Sequence, residues 1–102
     1  MEKLKPTYLL AFIKASFANA EAGLAITSRA LLDADALDLN AYGIAECIQS
    51  IEAKHFYKSM TTDRDSRVWQ DVYHVPWGGV VLYVKFMQNE DGRLYLMSFK
   101  IK

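Results

Sequence analysis

The chain has 102 residues, 52% apolar and 13% aromatic, which fits one domain, residues 1–102, with an ordinary core and excludes a disordered chain. Its formal net charge is zero, which argues against a general nucleic-acid binder. Its one cysteine, Cys47, excludes an internal disulfide and a cysteine metal cluster. No apolar run reaches the roughly 20 residues of a membrane helix, and the start "MEKLKPTYLL" lacks a signal-peptide pattern, so a cytoplasmic protein without a membrane partner is expected.

The predicted elements run helices first and strands last. From Thr7 to Ala20, the residues Leu9, Phe12, Ile13, Phe17 and Ala20 form one helical stripe. Gly23 ends it, and "GLAIT" reads as a short strand. Thr27 or Ser28 caps a second helix that carries Leu31, Leu32 and Leu37. Asn40 caps a third, in which Ile44, Cys47, Ile48 and Ile51 repeat at helical spacing. Lys54 to Ser59 is expected to add a further helical turn. After "TTDRDS" the period changes to two, and Arg67–His74, Val80–Gln88 and Arg93–Ile101 are predicted strands. "NEDG" predicts a tight turn between the last two. The order implies an α+β domain with helices on one face of a mostly antiparallel sheet.

Charge divides along the chain. Residues 1–53 hold four Lys/Arg against seven Asp/Glu, and residues 54–102 hold eight against five. The second half is therefore the one suited to phosphate.

Alternation predicts two faces for the sheet. Leu82, Val84 and Phe86 with Tyr95, Met97 and Phe99 are expected under the helices. Tyr83 and Lys100 are expected to share the open face, with Lys100 diagonal to Tyr83 or directly opposite it according to the turn. In the preceding strand, Trp69, Asp71 and Tyr73 point inward by the same rule, and Gln70 and His74 point to the open face. Asp71 is the misfit, a carboxylate aimed at a core.

The strings "FYKSMTT", "WQDVY", "LYVK" and the terminal "SFK" closely resemble the MqsR family of bacterial toxins, the motility and quorum-sensing regulators of type II toxin–antitoxin pairs. The start "MEK" with its following Pro and the segment "ALLDAD" are similar too, so the likeness covers nearly the whole chain. The resemblance implies a fold like the RelE and YoeB toxins. It implies an mRNA interferase that cuts messenger RNA without the ribosome, at GCU-like sites, using no metal and no cofactor. It also implies a cognate antitoxin of the MqsA type. The family's functional positions fall on Lys58, Gln70, Tyr83 and Lys100. The chain departs from the family in the loop "HVPWGGV", which lacks an arginine, in the acids of "MQNEDGR", and in its neutral charge.

Metal-free RNA cleavage turns the ribose 2′-OH on the adjacent phosphorus. It needs a base, an acid for the leaving oxygen, and positive charge on the phosphorane. A lysine serves as base only with a depressed pKa. Lys58 and Lys100 fit the roles of base and phosphate partner in either order, Tyr83 fits the acid, and Gln70 positions by hydrogen bonds. Arg64, Arg67, His74, Lys85 and Arg93 are candidate substrate contacts; Trp77 is a candidate stacking residue, and Tyr73 another, although its inward position suits the core better. Asp63, Asp65 and Asp71 read as local ion-pair or turn partners rather than metal ligands. The neutral charge keeps a second expectation open, a toxin-like module that binds a protein partner without catalysis.

Overall fold

The computed structural model describes residues 1–102. Five strands form one sheet in the order in which they occur, β1 Glu2–Lys3, β2 Phe56–Thr61, β3 Trp69–Trp77, β4 Val80–Gln88 and β5 Leu94–Ile101. All neighbouring strands are antiparallel. Three helices, α1 Leu10–Ser16, α2 Ser28–Asp35 and α3 Ala41–Gln49, contribute to the core beside Tyr73, Val75, Leu82, Val84, Phe86 and Phe99 of the strands. This is the expected α+β class, and it is consistent with a small RelE-like toxin. No helix is long and apolar enough to cross a membrane.

The helices follow their capping signals. Thr27 accepts the Ala30 N–H at 3.2 Å at the head of α2, and Asn40 accepts the Gly43 N–H at 3.1 Å at the head of α3. In α3, Ile44, Cys47 and Ile48 are fully buried, as is Ile51 just beyond it. Burial pushes the Cys47 thiol up to about 12, so it stays protonated and serves as core.

Four sequence expectations are corrected in the segments before β3. The first helix is shorter than Thr7–Ala20, because the N–H groups of Thr7 and Tyr8 leave the helical path to reach Asp71. Only Ile13 and Phe17 of its stripe are fully buried. "GLAIT" forms a single parallel bridge, Ile26 to Leu96, rather than a strand. On α2, Leu31 and Leu32 are 46% and 67% exposed while Ala30 and Ala34 are fully buried. Small side chains at i and i+4 bring this helix close to the sheet, and the leucines are left outside. Lys54–Ser59 is not helical. A 3-10 turn over Ala53–His55 ends at Phe56 and opens straight into β2. Aromatic Phe56 and Tyr57 favour the pleated strand, and β3 supplies its partner.

The turn between β3 and β4 is Gly78-Gly79, with φ of 55° and 86°. Both signs are positive, as a two-residue hairpin of type I′ requires. Pro76 lies beyond the last β2 pairing, Phe56 with Tyr73, where β3 has only β4 as a neighbour and a missing N–H costs nothing on that side.

The β4–β5 hairpin departs from simple alternation. Asn89 donates to the Arg93 carbonyl at 2.9 Å, so the loop has an odd number of residues and Leu94 and Leu96 turn inward, at 2% and 0% exposure. Tyr95 and Met97 are therefore outside the core, against the expectation that they point inward. A bulge then restores the original face. Lys85 pairs Ser98 and Phe86 pairs Leu96, leaving Met97 as the extra residue. From there Phe99 is buried and Lys100 stands directly opposite Tyr83. Thr27 answers the distortion by donating to the Met97 carbonyl at 3.4 Å.

Asp71 does enter the core, and it has partners there. Its carboxylate accepts the Thr7 N–H at 2.9 Å and the Tyr8 N–H at 2.8 Å. Beside it, the buried Ser59 hydroxyl meets that of Thr7 at 2.9 Å. The Tyr8 phenol donates to the Trp69 carbonyl at 2.6 Å and accepts the Gln88 N–H at 3.0 Å. No buried side-chain polar atom is left without a partner. Replacing Asp71 by Ala strands these amides, each at about 1–3 kcal/mol. Urea denaturation of Asp71→Ala is expected to show a loss of roughly 2–5 kcal/mol.

Candidate active site

The face of the sheet away from the helices is ordered by register. Lys58 on β2 pairs Val72 on β3, which pairs Lys85 on β4, which pairs Ser98 on β5. The next row holds His74, Tyr83 and Lys100 in that order. One step the other way, Gln70 lies between Met60 and Met87. Lys58, Gln70, Tyr83 and Lys100 thus share one open face, joined by His74 and Lys85. Val72 is fully buried although it faces outward, because it sits between two lysine stems.

A second bulge aims β2. Phe56 pairs Tyr73 and Lys58 pairs Val72, so Tyr57 is the extra residue. Tyr57 and Lys58 consequently both reach the open face. The Tyr57 ring stacks on His74, with centroids 4.1 Å apart and an interplanar angle of 22°. His74 is in turn 6.1 Å from the Tyr83 ring. The ammonium of Lys58 lies 5.3 Å from the Tyr57 ring centroid, and that of Lys100 lies 5.5 Å from that of Tyr83. Tyr57 was missed as a site residue by alternation, since only the bulge turns it outward.

Lys58 is engaged by a residue from the edge strand. Its Nζ donates to Glu2 Oε2 at 2.8 Å. β1 places Glu2 beside Met60, one pleat from Lys58. This hydrogen bond holds the Lys58 ammonium above the ordinary lysine range, aided by the Glu2 charge, with the tyrosines Tyr57 and Tyr83 acting the same way. The reciprocal effect holds the Glu2 carboxyl below its usual range. The depressed pKa that a lysine base requires is therefore absent at Lys58. Lys85 moves down instead, chiefly by burial and then by Lys100. Burial raises the Tyr83 phenol, against a lowering by Lys58, so Tyr83 is protonated at neutral pH. Burial lowers His74, with Lys102 acting the same way.

The remaining predicted contacts lie elsewhere. Arg64 and Gln70 line a cavity of about 830 Å³ at the far end of the sheet, where Asp63, Asp65, Glu90 and Asp91 also contribute. Arg67 is held by Asp65 through two bonds of 3.0 Å, as the local ion pairing implied. The Arg93 guanidinium is 5.8 Å from the Tyr95 ring centroid. Tyr73 is in the core and Trp77 packs against it. His55 uses Nδ1 to accept the Glu52 N–H at 2.9 Å.

Removing the Glu2 carboxylate should let Lys58 titrate at lower pH. In Glu2→Gln, a lysine-resolved NMR titration is expected to move the Lys58 pKa down toward the ordinary lysine value.

A family model described as motility quorum-sensing regulator, toxin of MqsA, matches residues 5–101. An mRNA interferase toxin MqsR from Escherichia coli (strain K12) is 39% identical over 103 aligned positions, covering 100% of both chains. Four strands and two bulges thus bring the quoted motifs "FYKSM", "WQDVY", "LYVK" and "SFK" onto one face, and the chain belongs to the MqsR toxin family.

Proposed function

We propose that this chain is an mRNA interferase toxin of the cytoplasm, acting on messenger RNA and held silent by an MqsA-type antitoxin. The observation that carries the reading is the convergence of Lys58, Gln70, Tyr83 and Lys100 on one rigid open face. Family membership supports it, since the matching family is described as the toxin of MqsA and the Escherichia coli relative is named an mRNA interferase.

The roles follow from the electrostatics. Lys58 is held as a cation by Glu2, so it neutralises the phosphate rather than taking a proton. An incoming phosphate exchanges with Glu2, whose side chain is 60% exposed against 21% for Lys58, so the carboxylate is the partner that solvent can take up. Lys100 supplies the second positive charge beside Tyr83. The phenol of Tyr83, protonated at neutral pH, donates to the departing 5′-oxygen. Gln70 does not titrate and fixes the RNA strand by hydrogen bonds. Lysines deliver the charge that a metal would otherwise bring, so cleavage without metal is the expected chemistry. GCU-like site preference is expected from the family likeness.

The purified chain is expected to cut a defined mRNA in the presence of EDTA, with the 5′ ends mapped by primer extension. Lys58→Ala, Tyr83→Phe and Lys100→Ala should each lower the cleavage rate by about 10²-fold or more with unchanged thermal midpoints. They should also relieve growth arrest on expression. A folded wild-type chain that leaves RNA intact, and causes no arrest when expressed alone, would instead support the protein-binding module.

A further inference from the structure

We propose that His74 is the general base of the cleavage, taking the 2′-OH proton while Tyr83 protonates the leaving oxygen. The inference rests on the RNA-cleaving reading above and supplies the group that reading lacks. His74 stands directly opposite Tyr83 in the β3–β4 register, and Tyr83 directly opposite Lys100. The imidazole and phenol rings are 6.1 Å apart, which leaves room for a phosphorus above both. Its entering oxygen would then meet an imidazole ring nitrogen and its leaving oxygen the phenol hydroxyl.

The imidazole is held for the task. Tyr57, the bulged residue of β2, stacks on it at 4.1 Å. No hydrogen bond within the chain takes either ring nitrogen of His74, whereas His55 has given Nδ1 to the Glu52 N–H. The groups around His74 are Tyr57 and Lys58 from β2, Tyr83 and Lys85 from β4, and Lys100 and Lys102 at the end of β5. None is a carboxylate. Glu2, the acid of the edge strand, is bonded to Lys58, and Asp71, on the same strand as His74, is bonded to Thr7 and Tyr8 on the core side. Burial, and then the Lys102 charge, favour the neutral imidazole and hold its pKa below the ordinary 6.5. It is therefore free to accept a proton at neutral pH, which the Glu2-bound Lys58 ammonium cannot do.

The step balances without a co-reactant. A lone pair of the 2′-oxygen forms a bond to phosphorus as its proton passes to the imidazole. The bond from phosphorus to the 5′-oxygen breaks, and that oxygen takes the Tyr83 proton. The products are a 2′,3′-cyclic phosphate and a 5′-hydroxyl. Solvent returns the imidazolium and phenolate to their starting states.

The test is the pH dependence of kcat/KM, which reports the free enzyme's groups, on a short RNA bearing the mapped wild-type site, in EDTA. Wild type should rise with pH through a midpoint below 6.5, as the base loses its proton. His74→Phe keeps a ring on Tyr57 but cannot accept a proton. It should be about 10²–10⁴-fold slower at neutral pH, lack the rising limb, keep its thermal midpoint, and bind a 2′-deoxy analogue of the RNA as wild type does. His74→Gln provides the same comparison should the Phe variant fold poorly. His74→Ala should regain activity with added free imidazole. A folded His74→Phe or His74→Gln that cuts within threefold of wild type, or that slows but keeps the rising limb, overturns the assignment. If wild type itself leaves the RNA intact, the proposed function fails first, and this inference with it, before any variant is compared.

Discussion

A buried carboxylate, Asp71, decides how the chain closes on itself. It is fully buried in a central strand, a position that is costly for a charge unless donors surround it. The amides of Thr7 and Tyr8 supply those donors within 3.1 Å. To bring them there, the segment after β1 must pass from the β2 edge to the core side of β3. That crossing puts β1 on the edge of β2 and starts α1 on the opposite side, over the core. The Tyr8 phenol then ties the Trp69 carbonyl to the Gln88 amide. Glu2 can reach Lys58 only because β1 is held at that edge, so a core carboxylate fixes the partner of an open-face lysine.

The open face depends equally on two irregularities. Strict alternation through "HFYKSM" would put Tyr57 and Lys58 on opposite faces. The bulge at Tyr57 puts both outside and seats Tyr57 on His74. Strict alternation after the odd-length loop closed by Asn89 and Arg93 would turn Lys100 inward. The bulge at Met97 restores it to Tyr83. A bulge adds one residue and reverses the facing of everything beyond it, so each of these insertions moves a side chain into the site that regular pleating would exclude. Thr27 and the Ala25 and Leu96 backbone pairing hold the second bulge from the helical side.

These particulars mark where sequence reasoning reached and where it stopped. The Asn40 cap and the stripe Ile44, Cys47, Ile48 and Ile51 were legible because cap and periodicity are local signals. The shared face of Tyr83 and Lys100 was also legible, but the inferred route was not. Apolar Leu94, Tyr95, Leu96 and Met97 give no period-two signal, so the odd loop and its compensating bulge cancel unseen in the alternation. β1 escaped notice because two charged residues at a sheet edge carry no strand pattern. Leu31 and Leu32 misled because apolarity was weighted above size, whereas α2 approaches β5 through alanine. The chemical role of Lys58 could not be read at all, because its controlling partner is Glu2, distant in sequence and supplied only by the pairing of β1 with β2.

The same geometry resolves the apparent conflict between a neutral chain and a phosphate substrate. Charges separated by more than about 8–10 Å are largely screened at physiological ionic strength, so the relevant quantity is the local field, not the sum over the chain. Lys58, Lys85, Lys100 and Lys102 are gathered at one face, and Glu2 is the one acid bonded to any of them. Of the other acids, Glu21, Asp33, Asp35, Asp38, Glu46 and Glu52 lie in the helix-bearing segment between β1 and β2, Asp63, Asp65, Glu90 and Asp91 line the far cavity, and Asp71 is buried on the core side. Glu2 then acts as a resident counterion. Its own exposure lets it yield to a phosphate, while its presence raises the Lys58 pKa further and disfavours loss of the proton there until one arrives. A base on this face must consequently be some group that Glu2 does not touch.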